Sequence, residues 1–207
     1  MKQVSEIKAS EGEMVLLAFP KSLKKDLLEL MSRISVNTLH ATQWTFPVQL
    51  NNEPIAIPVR IYWKEQRLME PQDLTEIQKT ALSCLLTRHH NGFVREKHLK
   101  LVLKSNHYWV QPFIIQLIGE YVIEIIQHIR NQFSDLNKVN LTNFIKENPG
   151  FWDLTKSRIM SYWDCYYRKK FNGQITGYTR KEYPGFELAD SIENEKSKES
   201  PTKCMKS

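Results

Sequence analysis

The stretch Pro112–Arg130, PFIIQLIGEYVIEIIQHIR, limits the possible folds more than any other part of the chain. Its apolar residues recur at helical spacing. At about 100° per residue, Ile114, Ile118, Tyr121, Val122, Ile125 and Ile129 share one side. Phe113, Ile115, Leu117 and Ile126 widen that side over most of the circumference. Gln116, Glu120, Glu124, Gln127 and Asn131 form the narrow polar stripe that remains. A helix this apolar has to be wrapped by other elements, which predicts one central core helix over 112–130. The carboxylates and amides that interrupt it argue against a membrane span.

Helical signals surround this segment. Leu74–Arg88 and Phe93–Lys104 read as two helices broken by Asn91-Gly92. A short helix is expected over Leu141–Lys146, and a long one from Asn148-Pro149 to Phe171, closed by Asn172-Gly173. On that last helix Trp152, Ile159, Met160, Trp163, Tyr166 and Tyr167 are expected to share a face. Nearer the start, Ser22 can cap a helix over Leu23–Ile34. Met14–Phe19 is short enough to be a strand or the lead-in to a helix.

The period changes to two after Gln43. Trp44, Phe46, Val48 and Leu50 alternate with other residues, as do Ile55, Ile57, Val59, Ile61 and Trp63, and Asn51-Asn52-Glu53-Pro54 lies between them. This predicts a β-hairpin over 44–63. Pro47 and Pro58 lack ladder donors, so both strands are expected to be short, irregular or edge-like. Glu70–Asp73 reads as a loop. Residues 1–12 read as a flexible N-terminus, 13–188 as one globular domain with its helical core over 73–172, and 189–207 as a disordered tail. The segment Gly177–Leu188 is expected to lie along the domain through Tyr178, Tyr183, Phe186 and Leu188. The fold class is therefore mainly α: a helical bundle or stacked α-hairpins around a central apolar helix, with one β-hairpin in the N-terminal third.

Composition excludes little. The 207 residues suit one domain with tails, and 41% hydrophobic with 25% charged residues are globular values. Only 7 glycines favour helices over a turn-rich all-β fold. A formal charge of +6 is compatible with a nucleic-acid partner without demanding one. Cys84, Cys165 and Cys204 show neither metal-ligand spacing nor a disulfide framework. No basic segment followed by a long apolar run opens the chain, and a cytoplasmic protein is expected.

No nucleophile elbow, P-loop or dinucleotide fingerprint occurs, and no catalytic residue, cofactor or metal is assigned. His89 and His90 are adjacent and so project about 100° apart, a poor chelate. Glu124 and His128, four apart, could form an ion pair or seed a metal site. Glu120 and Glu124 are an i,i+4 carboxylate pair that could support acid–base chemistry or simply pair with cations. Lys97, Lys100 and Lys104 share the outer face of their helix, with Arg88 nearby. Arg168, Lys169 and Lys170 stand beside Tyr166, Tyr167 and Phe171, and basic residues interleaved with aromatics can hold single-stranded nucleic acid.

The helix ALSCLLTR, the turn His90-Asn91-Gly92, the pair Val94-Arg95 and the helix head Val110-Gln111-Pro112 together resemble a HEAT-type helical hairpin over residues 74–127. In HEAT repeats a Val-Arg pair opens the second helix after an acidic turn residue, a place held here by Asn91. The resemblance implies stacked α-hairpins whose usual work is binding. Arg95 also has a physical reading. It falls beside Leu99 and Val102 on the apolar side of its helix, where a guanidinium needs a carboxylate, and Glu120 or Glu124 can supply it.

The leading reading is a cytoplasmic, non-enzymatic protein–protein binding or adaptor module. Its candidate binding residues are Gln116, Glu120, Glu124, Gln127, Lys97, Lys100 and Lys104, and Arg95 is structural. One alternative is a nucleic-acid-binding protein using the basic and aromatic faces. Another is an enzyme of unrecognised type using Glu120, Glu124 and His128. No membrane partner is expected, and the oligomeric state is open.

Overall fold

The computed structural model describes residues 5–6, 9–34, 39–41, 43–63, 73–168 and 177–198. Among these the protein is mainly α, with a small antiparallel sheet towards the N-terminus. In chain order the elements are β1 (Ser5–Glu6), α1 (Glu11–Leu17), α2 (Lys24–Arg33), β2 (Leu39–Ala41), β3 (Trp44–Leu50), β4 (Glu53–Pro58), β5 (Ile61–Trp63), α3 (Glu76–Leu86), α4 (Gly92–Val102), α5 (Gln111–Ile118), α6 (Ile123–Asn131), α7 (Lys138–Glu147), α8 (Pro149–Tyr162) and α9 (Pro184–Lys198). One contiguous apolar cluster runs from Val15 to Ile192 and draws on every helix.

The expected central helix is two helices. α5 ends at Ile118 and α6 begins at Ile123. Gly119 lies at the break because α8 crosses there. A Cβ on Gly119 would sit 3.2 Å from the Thr155 carbonyl oxygen and 3.3 Å from Arg158 Cβ. The break turns Glu120 inwards and leaves Tyr121, expected on the apolar side, 42% exposed. Phe113, Ile114, Ile115, Leu117, Ile118, Ile125, Ile126 and Ile129 are buried as their spacing requires.

The hairpin is more regular than its prolines suggest. Asn51 and Asn52 have φ of 53° and 65°, the left-handed pair of a two-residue type I′ turn. That turn makes Leu50↔Glu53 a hydrogen-bonded pair. The alternate pairs Gln49↔Pro54, Pro47↔Ala56 and Thr45↔Pro58 are then the non-hydrogen-bonded ones, where proline forfeits nothing across the ladder. The continuation Val59 N–H to Trp44 O, 2.9 Å, keeps the same alternation. At Gln49 the outward backbone groups meet Asn148, whose Oδ1 accepts from Gln49 N (2.7 Å) and whose Nδ2 donates to Gln49 O (2.8 Å). Glu147 accepts from Asn52 N (2.7 Å) and from the Tyr108 hydroxyl (2.8 Å), fastening the turn to the helices.

The second strand does not run on to Trp63. It stops at Pro58, and Ile61–Trp63 pairs with β2 as a separate two-stranded sheet. Ile61 is also stitched to the end of α3, by Ile61 N to Arg88 O and His90 N to Ile61 O, both 2.8 Å.

Both expected termini are corrected where they are described. Ser5 and Glu6 pair with β3, and Ser10 and Glu13 form a capping box that opens α1, so these residues are built into the fold and Met14–Phe19 is largely helical. α2 is preceded by a 3-10 turn at Lys21–Leu23, and Ser22 does not cap it. At the other end, Ala189–Lys198 is helical and packs on α6 and α7, with Leu188, Ala189 and Ile192 buried. Glu193 accepts from Trp152 Nε1 at 2.6 Å, and Glu187 pairs with Arg130 at 3.1 Å. Polar composition hid this helix because three apolar residues on one face, with carboxylates reaching polar partners, were enough to seat it. α8 passes into a π-turn at Trp163–Tyr167, and Met160 and Tyr166 face solvent while Trp152 and Ile159 are buried. Residues 199–207, Lys169, Lys170, Phe171, Asn172-Gly173 and Glu70–Gln72 lie outside the described residues. Among the described residues no helix is long and apolar enough to cross a membrane.

If α9 is docked as seen, Ile192→Ala should destabilise the fold by about 2–4 kcal/mol through the cavity it leaves. Urea unfolding measures this, and an unchanged midpoint would place α9 off the domain.

Candidate functional site

The site is built around the break between α5 and α6. Glu120 is fully buried there, and three chain reversals aim guanidiniums at it. Arg60, from the turn between β4 and β5, approaches Oε1 at 3.4 Å. Arg88, from the end of α3, approaches Oε1 at 3.7 Å. Arg95, from the first turn of α4, approaches Oε2 at 3.5 Å, so the ion pair its position called for is present, with Glu120 as partner.

These separations exceed the 2.7–2.9 Å typical of a tight charged hydrogen bond. The arginines are held chiefly by carbonyls. Arg88 donates from Nε to Pro58 O (3.2 Å), from Nη1 to Thr87 O (3.3 Å) and from Nη2 to Val59 O (2.7 Å). Arg95 Nη1 donates to His89 O and His90 O, both at 2.9 Å, while its buried Nε finds no partner among the described residues. Arg88, expected beside a surface lysine strip, is fully buried because those carbonyls need it.

A fourth guanidinium completes the cluster. Arg158 of α8 lies over the rings of Phe46 (5.6 Å) and Tyr162 (5.9 Å). No carboxylate among the described residues pairs with it. Burial pushes the Glu120 carboxyl up, but Arg88, Arg60, Arg95 and Arg158 together outweigh this and hold it below its ordinary value. Burial lowers Arg88, and the other three arginines push the same way against Glu120. A guanidinium nevertheless keeps its proton in a protein. The result is three guanidiniums on one buried carboxylate, with a fourth near enough for its charge to act on it.

Aromatic rings border the side where this cluster reaches the surface. Tyr121 meets Tyr162 edge-on at 5.9 Å, and Tyr162 stacks on Tyr166 at 6.2 Å. Arg158, Tyr162 and Tyr166 are spaced four apart, so the helix and its π-turn carry them as a row. Arg95 also lies over Tyr121, at 5.6 Å. Tyr166 is 68% exposed, and Arg60 keeps 18% of its side chain in solvent.

No known protein family, curated protein or solved structure matches this chain.

The polar stripe of residues 116–127 is not one site. Gln116 is buried on α5, and neither side-chain polar atom has a partner among the described residues. Glu120 belongs to the arginine cluster. Glu124 faces solvent, and Gln127 donates to the Tyr178 hydroxyl at 3.2 Å. The break at Gly119 disperses them. His128 contacts Gln132 at 2.9 Å in place of Glu124, and its pKa is lowered, chiefly by burial. Buried His89 spans Trp63 O and Asn91 N, which makes it a neutral structural imidazole. No group that could hold a metal ion occurs among the described residues. Lys97, Lys100 and Lys104 are exposed on or just beyond α4. Lys100 pairs with Glu96 at 2.9 Å, and Lys104 borders a cavity of about 490 Å³ floored by Leu74, Leu82 and Leu101. Sequence reasoning missed Arg60 and Arg158. The spacing Arg158, Tyr162, Tyr166 was available as a signal, whereas nothing local marks Arg60.

Two outcomes check this geometry. Glu120→Ala should cost about 3–5 kcal/mol in urea unfolding at neutral pH, because it leaves buried guanidiniums without their counter-charge. Glu120 has a depressed carboxyl pKa, so its contribution is complete above the unfolded value near 4.5 and is lost as pH falls through the folded value. Stability followed from pH 6 down to about pH 2 should show that acid loss, and Glu120→Gln should lack its share of it.

Proposed function

We propose that this chain is a non-enzymatic binding module that captures an anionic partner on the face formed by Arg158, Tyr121, Tyr162 and Tyr166. The observation that carries this reading is Arg158. Three other guanidiniums already face Glu120, and Arg158 has aromatic neighbours but no ion pair with a carboxylate among the described residues. A guanidinium stacked on rings keeps its N–H edge available for phosphate or carboxylate oxygens. Glu120 is unsuited to proton transfer, since it is buried, held ionised and faced by cations on both oxygens. A cytoplasmic, reducing setting belongs to the same proposal, supported by the free thiols of buried Cys84 and exposed Cys165.

A second reading places a protein partner on the outer side of α4, the adaptor role suggested by the HEAT-like hairpin of residues 74–127. Phe93, 83% exposed at the start of that helix, favours it.

Titration with heparin, a generic polyanion, separates the two. Arg158→Glu should weaken heparin binding by about tenfold, the equivalent of about 1.4 kcal/mol, while Phe93→Ala should leave it unchanged. Equal affinity of wild type and Arg158→Glu would remove the arginine face from consideration.

A further inference from the structure

We infer that the anionic partner is a single-stranded nucleic acid, with phosphate held at Arg158 and unpaired bases stacked on Tyr121, Tyr162 and Tyr166. This rests on the anion-binding reading above and names the ligand of that face.

Charge alone would attract an acidic peptide, a phosphorylated headgroup or a nucleic acid. The tyrosines discriminate among them. Tyr166 is 68% exposed and Tyr121 42%, so both leave aromatic surface to solvent beside the guanidiniums. Burying aromatic surface of this kind is favourable, and a flat π-face matches a ring far better than a carboxylate side chain does. Bases supply flat faces at the spacing of the phosphates, and stacking on aromatic side chains is the sequence-tolerant mode by which proteins hold unpaired strands. In a duplex those faces are covered by neighbouring base pairs. A double strand would therefore engage the arginines and leave the tyrosines idle.

The row also has a direction. Arg158, Tyr162 and Tyr166 follow one another along α8 and its π-turn, with Tyr162 and Tyr166 stacked at 6.2 Å and inclined by 30°. Tyr121 joins them from the other side at 5.9 Å. A strand laid along this row meets a cation at the Arg158 end and rings thereafter. Asp164, which could repel it, is neutralised by Arg168 at 2.8 Å. Glu124 is not. It is exposed on α6, three residues along from Tyr121, and has no ion pair among the described residues. Glu124 thus acts against binding, the reverse of the role its position in the polar stripe suggested.

Fluorescence anisotropy on the full chain tests this, with a labelled 12-nucleotide oligothymidylate as probe. Duplex DNA of the same length, inorganic polyphosphate, an oligoglutamate peptide and vesicles with an anionic phospholipid serve as competitors. The single strand is expected to bind about tenfold more tightly than any competitor and to weaken steeply with added salt. Tyr166→Ala, at an exposed position, should weaken the oligonucleotide about five- to tenfold and polyphosphate, which has no base to stack, far less. Arg158→Glu should weaken both, and Glu124→Gln should strengthen both by about two- to threefold. Polyphosphate, peptide or vesicles competing as well as the single strand, or Tyr166→Ala without effect, would overturn the nucleic-acid assignment and leave the anion-binding face standing. No binding of any polyanion at low salt would overturn both.

Discussion

Burying the carboxylate of Glu120 is the constraint on which the rest of this fold depends. An ionised group in the interior is tolerated only when it is paired and hydrogen-bonded, and here the pairing comes from three separate chain reversals. Arg60 leaves β4, Arg88 ends α3 and Arg95 opens α4. Each brings its own polar obligations. Arg88 satisfies the carbonyls of Pro58 and Val59 where β4 stops, and Arg95 satisfies those of His89 and His90 where the helical hairpin turns. The cluster therefore supplies two things at once. It neutralises a buried carboxylate, and it caps backbone groups that a sharp reversal would otherwise strand away from water.

The same constraint explains why the most apolar segment of the chain is not one helix. A continuous helix over 112–130 would carry Glu120 on a stripe with Gln116, Glu124 and Gln127. Close approach of α8 at Gly119 ends α5 early, and four residues later α6 starts on a new axis. In that interval Glu120 turns to the arginines and Tyr121 turns to solvent beside Tyr162. A structural ion cluster and a surface aromatic row thus arise from one break. The cluster meets the tyrosines through Arg95, which lies over Tyr121, and Arg158, which lies over Tyr162.

Much of this architecture is legible in the residues themselves. The turn pair Asn51-Asn52, the proline at the head of α8 and the alternation of β3 act through backbone geometry a few residues wide, and such preferences survive in almost any surroundings. Arg95 was legible for another reason. A guanidinium on an apolar helix face has few solutions, and only two carboxylates stood on the segment it had to pack against.

Position along a helix, proline content and local polarity were poorer guides wherever distant parts of the chain decided the outcome. The β3–β4 prolines are harmless because a two-residue turn sets the parity of the ladder, and α9 is ordered because a small apolar face finds α6, α7 and α8 ready to receive it. The sequence by itself determined most of the helices, the β3–β4 hairpin, most of the apolar core and the need of Arg95 for a carboxylate. Only the tertiary structure decided that Arg60, Arg88 and Arg158 join Arg95 at Glu120, and that Tyr121 meets Tyr162 and Tyr166. Those groups lie up to about a hundred positions apart, and the energy that gathers them is a sum over long-range charge and packing, which no local pattern records.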